Sequence, residues 1–289
     1  MVSMAESFFH TPASKFSRYR TAIQGLFLVA WLGPLGLRVH TVCAPVFHCY
    51  ACPLASFACP IGILAQFSAL HVMPFLAIGI LVVTGALVGS FVCGWACPFG
   101  LLQDLAARVP LPKWDPPYWL THMRYAALVG LVIILPWFFG ESHPLFFCRV
   151  CPAGALEGSV PMMVTQAAAG QAVAWPNAMK LGVTGAVVLA MFFVRRPWCQ
   201  ILCPLGAIFG LFNRISLFAI RFYPARCVDC GKCGAKCDFG VSSRIRADDP
   251  RCIRCMECVH CGACQIEAAW QAKPSALAAD LGVEGVRER

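Results

Sequence analysis

Long apolar runs separated by short polar segments dominate the first two thirds of the chain. A helix that crosses the hydrocarbon core of a membrane needs about 20 mostly apolar residues. The runs that meet or approach this length are 22–39, 70–92, 125–140 and 178–194. The last two are short, but apolar residues at Leu145–Phe147 and Trp198 flank them. The pattern predicts a mostly α fold: a cytoplasmic segment at 1–21, then a four-span helical membrane domain over 22–222. A re-entrant or interfacial helix at 159–175 stays open, and a true fifth span there would move the C-terminus across the membrane.

The composition agrees with a membrane protein. Of the 289 residues, 59% are hydrophobic and 13% are charged, with a net charge of +9, whereas about a quarter of the residues in soluble domains are charged. Cytoplasmic loops of membrane proteins carry an excess of Lys and Arg. Here the positive charges concentrate before the first run, after the second and after the fourth, at Lys15, Arg18, Arg20, Arg108, Lys113, Arg124, Arg195, Arg196, Arg214, Arg221 and Arg226. Both termini are therefore predicted to be cytoplasmic. The later arginines indicate contact with membrane lipid, not with nucleic acid.

Two kinds of cysteine motif occur once in each half of the membrane domain. A C-x2-C-P motif begins at Cys49 and again at Cys148, and a C-x3-C-P motif begins at Cys93 and again at Cys199. Their fixed order around an apolar run indicates an internal duplication, as in many membrane folds that are built from repeats. Under the predicted topology, the C-x2-C-P motifs lie at the outer face and the C-x3-C-P motifs lie at the inner face.

Paired motifs of this kind can form four-thiolate sites. Thiols four residues apart share a helical face, and two facing pairs supply the four ligands of a metal or iron–sulfur centre. The predicted inner set is Cys93, Cys97, Cys199 and Cys203, and the predicted outer set is Cys49, Cys52, Cys148 and Cys151. The alternatives are buried thiols that pack as small apolar side chains and, in the outer set, a disulfide. Cys43 and Cys59 have no counterpart in the second half, where Gly158 stands opposite Cys59.

Nine further cysteines are concentrated in the 38 residues that end at Cys264. Four follow C-x2-C-x2-C-x3-C and three follow C-x2-C-x2-C, which is the spacing of ferredoxins. Such spacing is too tight for disulfides between separate elements. The cysteines are Cys227, Cys230, Cys233, Cys237, Cys252, Cys255, Cys258, Cys261 and Cys264. They predict a small C-terminal domain over 223–266 that holds two [4Fe–4S] clusters, followed by a tail at 267–289.

The ligands of the two predicted clusters come from both runs, because the fourth cysteine of a ferredoxin run binds the other cluster. One cluster is expected on Cys252, Cys255, Cys258 and Cys237, and the other on Cys227, Cys230, Cys233 and a fourth thiolate. That fourth ligand is Cys261 or Cys264, because Gly262 stands where the fourth cysteine of the second run is expected.

With these motifs, residues 22–264 resemble the NapH/MauN family of ferredoxin-type membrane proteins. The membrane parts of NosR and of the copper-reducing assembly protein CcoG share the motifs, and the paired C-x3-C-P motif is the most specific of them. The resemblance implies a multi-pass protein of the bacterial cytoplasmic membrane. It implies iron–sulfur electron transfer between the quinone pool and a redox partner, such as a periplasmic reductase or dehydrogenase, as a quinol dehydrogenase-type component.

An assembly factor is the alternative function. Its outer cysteines would bind or reduce a metal such as copper for a partner enzyme, because soft thiolates suit Cu(I). The outer loops have no Met-rich or His-rich tract, which disfavours this alternative. For a quinone, His40, His48 and His143 lie near the predicted outer face, where a head group could accept a hydrogen bond, although histidines at this depth are more often solvated.

Overall fold

The architecture is that of short and long helices joined by proline-containing loops. The computed structural model describes residues 19–31, 43–49, 57–224, 227–235, 237, 239–241, 249–261 and 263–268. Within these ranges the chain is mostly helical and contains a two-stranded sheet near its C-terminal end. The predicted mostly α-helical fold is therefore confirmed, while part of the first predicted span and the motif cysteine Cys52 lie outside the described residues.

Long apolar helices alternate with helices that begin at or near a proline. In the first half the helices are Arg20–Trp31, Pro60–Ala69, Phe75–Val88, Phe91–Trp95 and Pro98–Ala106. In the second half a continuous helix runs over Tyr118–Phe139, and the others are Phe147–Val150, Gly154–Ser159, Val160–Ala168, Ala178–Phe193, Pro197–Ile201 and Pro204–Phe212. Proline favours the first turn of a helix because its fixed φ suits the helix and its missing N–H is not needed there. In both halves a long apolar helix is followed by a short helix and then by a helix that begins at the proline of the C-x3-C-P motif.

Several of these helices are apolar on the outside as well as the inside. Among the described residues, Tyr118–Phe139 is long enough and apolar enough to cross a membrane, whereas Phe75–Val88, Ala178–Phe193 and Pro60–Ala69 are apolar but shorter. Large apolar side chains on them are exposed, for example Phe75 at 78%. Contiguous apolar surface of this kind marks contact with another apolar phase or partner.

Four aromatic rings form the centre of the core. Phe47 packs against Phe99, Phe147 and Trp198, with ring centroids 5.9, 6.2 and 6.1 Å away. Trp198 also lies 6.4 Å from both Phe99 and Phe147. Two rings come from each half of the chain, and edge-on or tilted pairs at these separations are favourable. This aromatic layer holds the two halves together.

The C-terminal unit is small and is attached directly to the helices. Strand Phe218–Phe222 pairs antiparallel with strand Cys264–Ala268, and a short helix, Lys232–Ala235, and a 3-10 turn, Glu257–Cys261, lie between them in the chain. Arg254, 3% exposed, donates hydrogen bonds to the carbonyl oxygens of helical residues in both halves. The buried guanidinium is therefore one of the groups that anchor the unit.

Candidate metal-binding thiol sites

The four cysteines of the inner set come together in space. Cys93, Cys97, Cys199 and Cys203 line one small cavity, together with apolar side chains that include Phe47 and Phe99. The two C-x3-C-P motifs are about 100 positions apart in the chain, and the packing of the two halves brings them into one site. The juxtaposition that the duplication predicts is thus present, and the assignment of these thiols as metal ligands stays a prediction.

Each C-x3-C-P motif folds in the same way. Its second cysteine, Cys97 or Cys203, is the N-cap of a helix that begins at the following proline. In the second motif the backbone N–H of Gly206, three residues after the cysteine, is directed at Cys203 Sγ at 3.4 Å. A thiolate at this position receives both the hydrogen bond and the favourable end of the helix dipole.

Polar contacts cross between the halves around the inner set. Gln103 Nε2, in the first half, lies 3.1 Å from Cys199 Sγ, and Gln103 Oε1 accepts the N–H of Trp198 at 3.1 Å. Asp104 accepts hydrogen bonds from Arg196 at 2.6 and 2.5 Å. Each motif is thereby positioned by side chains of the opposite half.

Two buried guanidinium groups face the inner set. Arg196 is 1% exposed, has a left-handed backbone (φ 49°) and donates to the carbonyl oxygen of Cys93 at 2.9 Å. Arg124 is 4% exposed and lines the thiol cavity. Among the described residues, its Nε has no hydrogen-bond partner. Both cations interact electrostatically with Cys93 and Cys199.

The carboxylate of Asp104 anchors this cationic region. Burial alone raises the pKa of Asp104, but Arg196 and then Arg20 outweigh it and hold the pKa below its ordinary value. Arg20 Nη2 lies 2.7 Å from Asp104 Oδ2, and Arg20 Nε donates to the carbonyl oxygen of Gly94 at 3.1 Å. One carboxylate thus links the first helix, the first motif and the second motif.

Replacing Asp104 by Asn is expected to lower the free energy of unfolding by about 3–5 kcal/mol, because the guanidinium of Arg196 would stay buried without its counter-ion. Thermal unfolding of the detergent-solubilised protein measures the effect. Asp115→Asn, at an exposed carboxylate, is the control and should change stability by about 0.5 kcal/mol or less. Equal losses in the two variants would contradict the role assigned to Asp104.

The second ferredoxin-type run closes the thiol cavity. Pro250, Arg251 and Ile253, which flank Cys252, line the same cavity as the inner set. Asn213 Nδ2 donates to the carbonyl oxygens of Cys252 and Asp249 at 2.8 and 3.1 Å. The loop that carries Cys252 is therefore seated directly on the inner thiols.

Two glycines, one from each half, make that contact possible. A Cβ added at Gly94 would lie 2.5 Å from the carbonyl oxygen of Ile253, and one added at Gly210 would meet the carbonyl oxygen of Pro250 at a still shorter distance. Both neighbours are backbone atoms, which cannot rotate away. Only glycine lets the loop approach so closely.

Within the ferredoxin-type segment, cysteines of different runs lie together. Cys252 interacts electrostatically with Cys255 and Cys237, and the sharing of Cys237 between the two runs stays a prediction. The thiol of Cys258 is hydrogen-bonded to Cys264, which is 0% exposed. Cys227, Cys230 and Cys233 are also described, whereas the side chain of Cys261 is not. The choice between Cys261 and Cys264 stays open.

Three of the four predicted outer cysteines are described, and Cys52 lies outside the described residues. Cys49, Cys148 and Cys151 interact electrostatically with one another and with Cys59. Cys59 is the N-cap of helix Pro60–Ala69, as Cys97 and Cys203 are of theirs. The missed signal is the motif C-P-x-G, which occurs four times, at Cys59, Cys97, Cys151 and Cys203.

The two thiol sets are closer than a membrane thickness. The sequence predicts them at opposite faces, but Phe99 and Trp198, beside the inner thiols in the chain, touch Phe47 and Phe147, beside the outer ones. The thiol of Cys97 itself lies 3.9 Å from the carbonyl oxygen of Phe47. One aromatic layer therefore separates the sets.

Comparison with known proteins assigns the paired motifs to a family. The model of the 4Fe-4S binding domain family matches residues 69–117 and 178–222, and each matched segment contains one C-x3-C-P motif. Over these two segments, about a third of its length, the chain is similar to this family. The similarity therefore rests on the segments that carry the inner thiols, independently of the nine cysteines of the C-terminal segment.

Relatives of the chain are named as electron transport or ferredoxin-type proteins. It is 29% identical to the putative electron transport protein YccM of Escherichia coli, 26% to the methylamine utilization ferredoxin-type protein MauN of Methylorubrum extorquens and 29% to the ferredoxin-type protein NapH of Haemophilus influenzae. The matches cover 66, 63 and 55% of this chain and 54, 55 and 51% of those proteins, so the chain spans about half their length. No solved structure matches the chain.

A single ion and an iron–sulfur cluster require different spacings of four thiolates. Thiolates around one tetrahedral ion lie about 3.8 Å apart, as metal–sulfur bonds of about 2.3 Å require, and within the described ranges no three His, Cys, Asp or Glu side chains are grouped so as to hold an ion. Thiolates on different irons of a cluster lie further apart. Four thiolates around a doubly positive iron–sulfur core would form a dianion, and Arg124 and Arg196 are the buried cations that interact electrostatically with these thiols.

Proposed function

We propose that this protein is an integral-membrane iron–sulfur electron carrier that passes electrons between the quinone pool and a redox partner. The observation that carries the proposal is the seating of the Cys252 loop on the inner thiol cavity. It puts the predicted cluster of Cys252, Cys255, Cys258 and Cys237 beside the predicted centre of the inner set. Two redox centres in contact, one in a helical domain and one in a ferredoxin-type unit, are what an electron relay needs.

The membrane part of the proposal is supported by the surface of the helices. Apolar side chains such as Phe75, Val83, Phe138 and Leu189 are exposed on helices that surround a core with buried charges. Water cannot accommodate so much apolar surface, whereas lipid can. In this proposal the four-span topology of the repeats holds, with both termini in the bacterial cytoplasm.

The clusters supply one-electron chemistry when they are bound, and the chain supplies their environment. The inner thiols would hold one cluster, and Arg124 and Arg196 would compensate its charge. The residues that close the cavity, among them Pro250 and Ile253, exclude water from it. The runs between Cys227 and Cys264 would hold two further [4Fe–4S] clusters, through which electrons leave or enter on the cytoplasmic side.

A short-chain quinol added to the anaerobically purified full chain is expected to reduce its clusters. About eight irons per chain belong to the two ferredoxin-type clusters, and a bound inner cluster adds to them. Iron analysis and EPR spectra before and after the addition of quinol measure both properties. Iron near zero would overturn the electron-carrier proposal. Iron-loaded protein that dithionite reduces but quinol does not would overturn the quinone assignment.

A further inference from the structure

A polar cleft opens where the first helix, the end of helix Pro98–Ala106 and the ferredoxin-type unit meet. It has a volume of about 270 Å³ and shares no lining residue with the thiol cavity. Pockets for small molecules begin at about 300 Å³, so the cleft has room for one small polar group. Its lining residues are Arg20, Thr21, Asp104, Ala107, Arg108, Arg195 and Glu257.

Three guanidinium groups line this cleft, at Arg20, Arg108 and Arg195. Arg20 is 8% exposed and is fixed by Asp104 Oδ2 at 2.7 Å and by the carbonyl oxygen of Gly94 at 3.1 Å. Arg108 is exposed, and its Nη2 donates to Thr21 Oγ1 at 2.8 Å. A guanidinium has five N–H donors, so this single contact leaves donors of Arg108 for a ligand.

The carboxylates of the cleft do not balance its positive charge. Asp104 is shared between Arg20 and Arg196, which binds it from behind at 2.6 and 2.5 Å. Four guanidinium groups therefore stand against two carboxylates, those of Asp104 and Glu257. An excess of positive charge in a concave site attracts anions, and the planar fork of arginine matches the oxygens of a phosphate group.

The surface around the cleft is apolar. Tyr19 and Leu105, next to Arg20 and Asp104 in the chain, are 60% and 52% exposed, and Leu26 on the first helix is 70% exposed. In the proposed function this surface contacts lipid. The acyl chains of a phospholipid can lie along it while the headgroup enters the cleft, and basic pockets between helices on the cytoplasmic side of a membrane bind anionic headgroups.

We propose that this cleft binds the phosphate group of an anionic phospholipid headgroup, with Arg20, Arg108 and Arg195 as its ligands. The inference rests on the membrane location in the proposed function and goes beyond it, since the cleft is separate from the thiol sites. A phospholipid fits better than an acidic redox protein, because the cleft is small and apolar side chains flank it. Glu257, the lining residue from the ferredoxin-type unit, opposes the bound anion.

Thermal unfolding and native mass spectrometry of the full chain in non-ionic detergent test this site, with phosphatidylglycerol or phosphatidylcholine added. Phosphatidylglycerol is expected to bind and to raise the Tm, and phosphatidylcholine is not. Arg108→Gln and Arg195→Gln should each weaken the binding of phosphatidylglycerol roughly 10-fold or more, because each removes charge-assisted hydrogen bonds. Arg195→Lys, which keeps the charge, should lose less than Arg195→Gln.

Two further variants make the test specific to the cleft. Arg221→Gln replaces an exposed arginine on strand Phe218–Phe222, outside the cleft, and should bind as the wild type does. Glu257→Gln removes a negative charge from the lining and should tighten binding roughly 2- to 10-fold. A purely structural role of the arginines would not produce this gain.

Equal effects of the two lipids, or unchanged affinity in both Arg108→Gln and Arg195→Gln, would overturn the proposal. Inorganic phosphate that stabilises the protein as much as phosphatidylglycerol at the same concentration would assign the cleft to a free anion instead. Variants that keep the lipid but lose electron exchange with an acidic redox protein would assign it to that protein. Quinol reduction of the clusters, measured in the same samples, tests the proposed function separately, because either result can fail while the other holds.

Discussion

Cys97→Ser is expected to remove the inner cluster as a unit, with a loss of about two to four irons per chain and of one EPR signal. Cys93, Cys97, Cys199 and Cys203 line one cavity, although they come from motifs in opposite halves. If they share one cluster, replacement of any of the four must abolish the same signal. Buried thiols that only pack would behave differently, because each replacement would cost packing energy at its own position.

The experiment compares all four single variants with Cys43→Ser, which replaces a buried thiol outside the inner set. Serine can replace cysteine as a weak oxygen ligand, so each position is also replaced by alanine. Identical loss of one signal in the four variants, with the ferredoxin-type signals retained, is the expected pattern. Variants that keep both their iron and their quinol-driven reduction would refute a shared inner site.

The second large effect is slower electron transfer into the ferredoxin-type clusters. It is expected when the loop that carries Cys252 no longer docks on the thiol cavity. Gly94→Ala places a methyl group 2.5 Å from the carbonyl oxygen of Ile253, and overpacking of this kind costs about 1–3 kcal/mol. That cost shifts the docking equilibrium of the loop roughly 5- to 150-fold toward the undocked form. Gly210→Ala acts on the other side of the loop, at Pro250, and should have a similar effect.

Electron transfer into the ferredoxin-type clusters should slow in these variants while their iron content stays unchanged. Stopped-flow reduction by a short-chain quinol measures the rate, and limited proteolysis reports release of the C-terminal unit. Gly79→Ala is the matched control, because no described atom lies within 4 Å of its added Cβ. Equal rates in Gly94→Ala and Gly79→Ala would show that electrons do not pass through this contact.

The sequence predicted those parts of the site that depend on neighbours in the chain. Spacing of two or three residues places the thiols of one motif together, and the following proline starts a helix at the second thiol. Repetition of the motif then suggested that Cys93 and Cys97 face Cys199 and Cys203, and the structure brings them to one cavity. The helical content followed in the same way from the apolar runs. The four-span topology stays a prediction, since among the described residues one helix has the length and composition of a span.

The sequence could not identify the charges around the inner thiols. In the sequence, Arg124 and Arg196 look like ordinary positive charges at the ends of apolar runs. Both are among the charges from which the cytoplasmic side of the membrane is predicted. In the structure both are buried against the cavity, and Arg196 is held there by Asp104, 92 positions earlier in the chain. No local pattern distinguishes a buried arginine from one at a membrane surface, because its environment is supplied by remote segments.

The sequence by itself determined the spacing of the cysteines, the helical class and the similarity to the family, because each depends on spacing along one segment or on a repeated motif. Only the tertiary structure decided which segments meet. It brought Cys59 to Cys148 and Cys151, separated the outer set from the inner set by one aromatic layer, and seated the Cys252 loop on Gly94 and Gly210. These contacts join residues tens of positions apart, and they arise from how the two halves pack. Packing depends on the shapes of whole surfaces, which no short stretch of sequence contains.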